Sequence, residues 1–151
     1  MKTIIYRHRK ENKKKCTLSS LESREDLLFL TYPKDPLPDL SSYIILKMDA
    51  PPLTIKDKAR PLLLIDSTWR YSEKMLNSLP NKENLTYRSL PDKYLTAYPR
   101  KQTDCIDPKR GLASVEALYL AYHILEKNTK ELLDHYHWKD EFLKLNHLPL
   151  Q

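Results

Sequence analysis

The middle of the chain carries the stretch that decides the fold, Pro61-Leu62-Leu63-Leu64-Ile65-Asp66-Ser67-Thr68-Trp69. Its first half is apolar throughout, which is typical of a central parallel strand covered on both faces. The polar residues that follow can cap a helix, which we predict over residues 69–78. A buried strand, a polar turn and a helix form half of a βαβ unit. The stretch therefore predicts an α/β fold, whose ligands bind at the carboxyl ends of the strands.

Shorter apolar runs on both sides of this stretch predict the remaining elements. Strands are expected over residues 3–6, 27–30, 43–46, 85–88 and 94–97. A short helix is expected within residues 18–25. Two helices are predicted to close the chain, the first from a cap at Ser114 to about residue 127, the second from a cap at Thr129 to about residue 145.

The glycine content excludes two kinds of nucleotide site. The chain has one glycine, where average composition gives about ten. A dinucleotide fingerprint needs three glycines and a Walker A loop needs two, so neither is present. If one position requires a backbone conformation that only glycine allows, the candidate is Gly111.

Composition also bears on partners and compartment. The 26 Lys and Arg against 20 Asp and Glu give a net charge of +6, which suggests a polyanion such as RNA or DNA. Cys16 and Cys105 lie far apart and predict free thiols in a reducing cytosol. No apolar run is long enough to span a membrane, and the N-terminal charges follow the apolar residues, the reverse of a signal peptide. The five histidines lack metal-ligand spacing. We therefore expect a cytoplasmic protein without metal.

Basic residues occur in three groups that could contact phosphates. Tyrosines lie among the third group, and a Tyr can stack on an unpaired base; an ordinary solvated surface would show the same composition. The RNA-binding candidates are Arg7, Arg9, Lys13, Lys14 and Lys15, then Arg60, Arg70 and Lys74, and finally Arg88, Arg100 and Lys101.

Two residues have both a structural and a functional interpretation, and a third has a structural one. Asp66 could cap the following helix, or its carboxylate could receive an amine or help a proton to leave. Trp69 could belong to the core or cover an apolar part of a ligand. Glu116 in the first turn of a helix is explained by the helix dipole alone.

Five motifs in order resemble the DTW-related aminocarboxypropyltransferases, most closely the branch that modifies small-subunit ribosomal RNA. The similarity covers nearly the whole chain, although Leu18 and Ala113 stand where that branch has glycine and serine. The motifs are Lys14-Lys15-Cys16-Thr17, Leu64-Ile65-Asp66-Ser67-Thr68-Trp69, Arg88-Ser89-Leu90-Pro91 with Ala97-Tyr98-Pro99, Leu112-Ala113-Ser114-Val115-Glu116-Ala117, and Trp138 with Phe142-Leu143-Lys144-Leu145-Asn146.

The resemblance implies a small N-terminal α/β lobe, residues 1–60, and a SPOUT-like lobe with a deep trefoil knot, residues 61–151. It implies that S-adenosylmethionine donates its 3-amino-3-carboxypropyl group to N3 of a uridine or a modified pseudouridine. It also implies a monomer. The cofactor would be bordered by Thr17, Asp66, Thr68, Trp69, Leu90, Leu112, Ala113 and Ser114, with Asp66 as the catalytic residue.

Within this expectation, Trp69 would bury the methyl group of the cofactor. Asp66 would hold the amino group of the transferred chain or assist loss of the uridine proton. Three other functions stay open: the same transfer to a tRNA uridine, an RNA methyltransferase of the SPOUT type, and a non-catalytic RNA-binding assembly factor.

Overall fold

The computed structural model describes residues 1–10, 16–99 and 111–150, with the backbone but not the side chain of Trp69. Within these ranges, five parallel strands form one sheet. They are β1 (Thr3–His8), β2 (Leu27–Tyr32), β3 (Ile44–Leu46), β4 (Leu62–Asp66) and β5 (Thr86–Arg88). All five strands were expected from apolar runs in the sequence, and each predicted end lies within two residues of the observed one.

The strand order is β2-β1-β4-β3-β5, so β4 is the central strand, as its apolar sequence predicts. β1 leads to β2 on one side of the sheet, whereas β4 leads to β5 on the other. A crevice outside the carboxyl ends of β1 and β4 is therefore expected, since binding sites of open α/β sheets form where the strand order reverses. Arg7 and Asp66 are register partners at this edge.

Helices cover both faces of the sheet. α1 (Trp69–Asn77) follows β4 directly, as predicted. α2 (Ser114–Ile124) is shorter than predicted and ends where Glu126 takes a left-handed conformation with φ 54°. α3 (Lys139–Leu145) is also shorter. Short 3₁₀ helices lie at Ser19–Leu21, Ile55–Asp57 and Lys82–Asn84.

The alternation of side chains along the strands builds two apolar cores. Ile5, Leu62 and Leu64 pack on the face that also receives α2 and α3. Ile4 and Leu63 point to the opposite face, where α1 packs. These strand residues are at most 6% exposed. The strands that carry the carboxyl edge of the sheet are therefore held by close packing on both faces.

Some predicted elements are wrong. Residues 94–97 form no strand, because the Asn146 side chain bonds both the N–H and the C=O of Leu95. No helix begins at Thr129; Glu131 takes φ 68°, which a continuous helix does not allow. The expected helix within residues 18–25 is only the 3₁₀ turn Ser19–Leu21.

The lobe boundary and the knot stay predictions. Strands from both expected lobes, residues 1–60 and 61–151, lie in the same sheet. The expectation that Gly111 needs a backbone conformation that only glycine allows also stays a prediction, because the preceding residue lies outside the described ranges. No described helix is long and apolar enough to cross a bilayer.

Candidate functional site

Asp66 is the last residue of the central strand, and its carboxylate is 2% exposed. Oδ2 accepts hydrogen bonds from Arg7 Nε and Cys16 Sγ, both at 3.0 Å. Oδ1 accepts one from Ser114 Oγ at 2.7 Å. Three separate parts of the chain therefore meet at one buried carboxylate. The cap interpretation of Asp66 is wrong, since Thr68 is the N-cap of α1 and Asp66 bonds elsewhere.

Arg7 lies beside Asp66 on β1 and is 5% exposed. Its guanidinium forms ion pairs with Asp66 at 3.0 Å and Glu22 at 2.9 Å, and it lies 4.9 Å from the Phe29 ring centre. Burial alone would lower the pKa of Arg7, but the two carboxylates outweigh it and raise the pKa. The prediction that Arg7 binds RNA is corrected by these contacts, because a buried guanidinium paired twice inside the fold is not accessible to phosphate.

Cys16 has a free thiol that points at the same carboxylate. Burial and the negative charge of Asp66 raise the pKa of Cys16 to about 12. The thiol is therefore neutral near pH 7 and acts as a donor. Cys105 lies outside the described residues.

The start of α2 is bonded to residues far away in sequence. Thr17 Oγ1 accepts from the backbone N–H of Val115 at 3.1 Å. Ser114 was expected to cap this helix, but the N-cap is Ala113, which has no side-chain acceptor. The Ser114 hydroxyl donates to Asp66 instead, so Thr17 supplies the acceptor that the N-cap lacks.

The expected cofactor residues are thus partly assembled. Thr17, Asp66, Ala113 and Ser114 lie together around the first turn of α2. Thr68 lies two residues after Asp66 and is exposed. Leu90 and Leu112 pack against the core on the α2 face of the sheet. The side chain of Trp69 lies outside what the structure describes.

Glu116 has a role that its sequence position does not reveal. It is 0% exposed and accepts four hydrogen bonds. The donors are Thr96 Oγ1 at 2.6 Å, Ala113 N at 2.8 Å, and both Ala97 N and Tyr136 Oη at 2.9 Å. The helix dipole is therefore not its main partner. Glu116 joins the loop after β5 to the start of α2.

Asn146 fixes the same loop from the other side. Its amide bonds the N–H and C=O of Leu95 and the C=O of Phe142 at 2.7 to 2.9 Å. Glu116 and Asn146 both belong to motifs noted in the sequence. Only the apolar surroundings of these polar residues hinted that they are buried and bonded.

The basic residues separate into engaged and exposed groups. Arg60 donates to carbonyls of Ser41, Ser42 and Tyr43, and Arg88 pairs with Asp57 at 3.4 Å. Both contribute to the fold. Arg9, Arg70 and Lys74 are exposed. The remaining candidates, Lys13, Lys14, Lys15, Arg100 and Lys101, lie outside the described residues.

His8 ends β1 within this exposed basic region. Its ring stacks on Tyr71 with centres 4.1 Å apart, and its Nδ1 accepts from the backbone N–H of Lys10 at 3.0 Å. Burial, followed by the charges of Arg9, Lys10 and Lys74, lowers the pKa of His8. Three cations thus lie near the carboxyl end of β1, close to Asp66. Within residues 1–10, 16–99 and 111–150, no cluster of His, Cys, Asp and Glu could hold a metal.

Comparisons with known proteins identify the fold and the family. A solved structure, that of the SAM-dependent rRNA:acp-transferase Tsr3 from Vulcanisaeta distributa, superimposes with a TM-score of 0.73. It is 26% identical, and the match covers 97% of this chain and 78% of that chain. No curated protein sequence gave a match. The model of the DTW domain matches residues 1–144, and the chain therefore belongs to the DTW domain family.

Proposed function

We propose that this protein is an S-adenosylmethionine-dependent aminocarboxypropyltransferase that modifies N3 of a uridine or modified pseudouridine in small-subunit ribosomal RNA. One observation carries most of the argument: Asp66, Ser114 and Thr17 meet at the carboxyl end of the central strand. The similarity to Tsr3, a SAM-dependent rRNA:acp-transferase, supports the choice of cofactor, group and RNA class.

The residues around Asp66 suit a cationic cofactor. Arg7 contributes one positive charge, Asp66 and Glu22 contribute two negative charges, and Cys16 is neutral. The cluster therefore has a net charge of −1, whereas S-adenosylmethionine has a net charge of +1 from its sulfonium, ammonium and carboxylate groups. Asp66 Oδ1 has one hydrogen bond within the described part of the chain, and a carboxylate oxygen can accept two. The negative charge of the cluster and the free accepting position on Oδ1 thus fit the ammonium group of S-adenosylmethionine.

When bound, S-adenosylmethionine supplies electrophilic carbons attached to a positively charged sulfur. The protein then has mainly to position them. Asp66 would hold the ammonium group of the transferred chain through Oδ1, the oxygen to which Ser114 donates. Thr17 fixes the start of α2. From the motif alone, Trp69 would be the residue that covers the methyl group. Arg9, Arg70 and Lys74 contact RNA phosphates.

Calorimetry and mass spectrometry test the proposal together. The wild-type protein should bind S-adenosylmethionine, and RNA incubated with both should gain the mass of an aminocarboxypropyl group. A gain of a methyl mass would instead identify a methyltransferase. RNA binding with no cofactor binding would identify an assembly factor, and mapping the modified nucleotide in cells with and without the gene separates rRNA from tRNA.

The role of Asp66 has its own test. Asp66→Asn should lose most cofactor affinity, whereas Asp140→Asn on the exposed surface of α3 should keep it. Intact cofactor binding and turnover in Asp66→Asn would overturn the assigned role.

A further inference from the structure

Building on the proposed function, we infer that Arg7 and Cys16 are positioning residues, which hold Asp66 through Oδ2 so that Oδ1 faces Ser114 and the ammonium group of the cofactor. The two oxygens of Asp66 have different surroundings. Oδ2 receives two donors, Arg7 Nε and Cys16 Sγ, whereas Oδ1 receives one described donor, Ser114 Oγ. Oδ2 is therefore filled, and Oδ1 keeps an accepting position.

Arg7 is itself held on several sides. It is fixed by the register of β1 against β4, by the Glu22 ion pair and by the Phe29 ring. A guanidinium is planar and carries its donors in a fixed fork. An Arg restrained in this way fixes the direction of the carboxylate that it binds, and it balances one of the two negative charges of the cluster.

Cys16 adds a second constraint and relates Asp66 to α2. Its neutral thiol donates to Oδ2, and the next residue, Thr17, accepts from Val115 in the first turn of α2. Ser114 in that same turn donates to Oδ1. Two consecutive residues thus set the position of the carboxylate relative to the first turn of α2, beside which the cofactor's amino-acid part would lie.

This arrangement predicts selective effects on two ligands. S-adenosylmethionine has the ammonium group and the sulfonium charge, whereas methylthioadenosine lacks both and retains the adenosine. Disturbing Asp66 should weaken binding of the first ligand and spare the second. A general loss of structure would weaken both.

The experiment measures dissociation constants for both ligands by calorimetry at a temperature where each variant is folded. Cys16→Ala removes the donor, and Cys16→Ser replaces the thiol with a hydroxyl donor. Arg7→Gln removes the charge. The matched control is Arg24→Gln, because Arg24 also forms an ion pair and bonds two carbonyls, but before the start of β2 at the opposite edge of the sheet.

Cys16→Ala should weaken the binding of S-adenosylmethionine about tenfold, because Asp66 is no longer held in the orientation that suits the ammonium group. Arg7→Gln should weaken it less, because the lost orientation is partly offset by the greater negative charge of the cluster. The dissociation constant for methylthioadenosine should change less than about twofold. Cys16→Ser should recover most of the affinity for S-adenosylmethionine, and Arg24→Gln should bind both ligands as the wild type does. If Arg7→Gln does not fold, the two Cys16 variants decide.

Two results would overturn the inference: unchanged S-adenosylmethionine affinity in Cys16→Ala, or equal weakening of both ligands. Failure of the proposed function is recognised separately, because the wild-type protein itself would then not bind S-adenosylmethionine or would transfer a group other than aminocarboxypropyl.

Discussion

Thr17 Oγ1 accepts a hydrogen bond from the backbone N–H of Val115 at 3.1 Å, although the two residues are 98 positions apart. The first N–H groups of a helix have no partner within the helix. Ala113, the N-cap of α2, offers no side-chain acceptor. A residue from the N-terminal part of the chain thus completes the helix that borders the candidate site.

Replacing Thr17 should therefore destabilise α2. Thr17→Val keeps the shape but loses the acceptor, and we expect the free energy of unfolding to fall by about 1 kcal/mol, as for loss of a helix cap. Thr17→Ser keeps a hydroxyl acceptor and should keep most of the free energy of unfolding. Urea unfolding followed by circular dichroism measures both, and equal stability of the two variants would contradict the assigned contact.

Glu116 should be among the most sensitive positions for stability. In Glu116→Gln, an amide NH₂ replaces an oxygen that accepts from two of the four donors around it, so donors would face donors. The free energy of unfolding should fall by about 2 to 3 kcal/mol. Glu73→Gln, exposed on α1, should change it by less than about 0.5 kcal/mol. Similar urea midpoints for the two variants would disprove the role of Glu116.

The Cys16 thiol should react slowly with alkylating reagents. The thiolate is the reactive form, and the pKa of Cys16 rises from 9.0 to about 12. In a Cys105→Ser background, iodoacetamide at pH 8 should modify Cys16 about a thousandfold more slowly in the native protein than in urea. Intact-mass spectrometry follows the reaction. Comparable rates in both conditions would show that the thiol is neither buried nor bonded as described.

His8 should make stability depend on pH below about 6.5. Burial and nearby cations lower its pKa in the folded state, so the unfolded chain binds more protons as the pH falls. Stability is therefore fully present above the unfolded pKa and decreases as the pH drops from about 6.5 toward the lower folded pKa.

Urea midpoints at pH 7.5 and 5.5 measure this effect. His8→Phe, which retains a ring to stack on Tyr71, should reduce the difference between the two midpoints. His135→Gln, at an exposed position, should leave it as in wild type. A His8 proton titration at or above 6.5 by nuclear magnetic resonance would contradict the description of its surroundings.

Lys74 provides a test of the RNA surface. Lys74→Glu should weaken binding of a uridine-rich RNA about tenfold. It should also lower, by about one, the slope of the logarithm of the binding constant against the logarithm of the salt concentration. Lys130→Glu is the control, since the carbonyl of Lys130 bonds Arg24 near the amino end of β2, away from Asp66. Fluorescence anisotropy at several salt concentrations measures both. An equal loss in the two variants would mean that only net charge matters.

The central elements were predictable because their signals are local. A continuous apolar run identified β4 as a buried parallel strand, and the polar turn after it identified both α1 and the edge of the sheet that carries Asp66. The apolar pattern likewise identified α2. These features depend on neighbours in sequence, so composition and periodicity suffice to predict them.

The partners of these residues were decided by the tertiary structure. Arg7 has the sequence context of a basic run, yet strand pairing places it against Asp66 and removes it from the surface. Cys16, Thr17 and Glu116 likewise take their roles from residues brought close by the fold. The sequence by itself determined a parallel α/β sheet with a carboxylate at the end of its central strand. Only the tertiary structure decided which donors surround that carboxylate, because such contacts join segments that no local pattern connects.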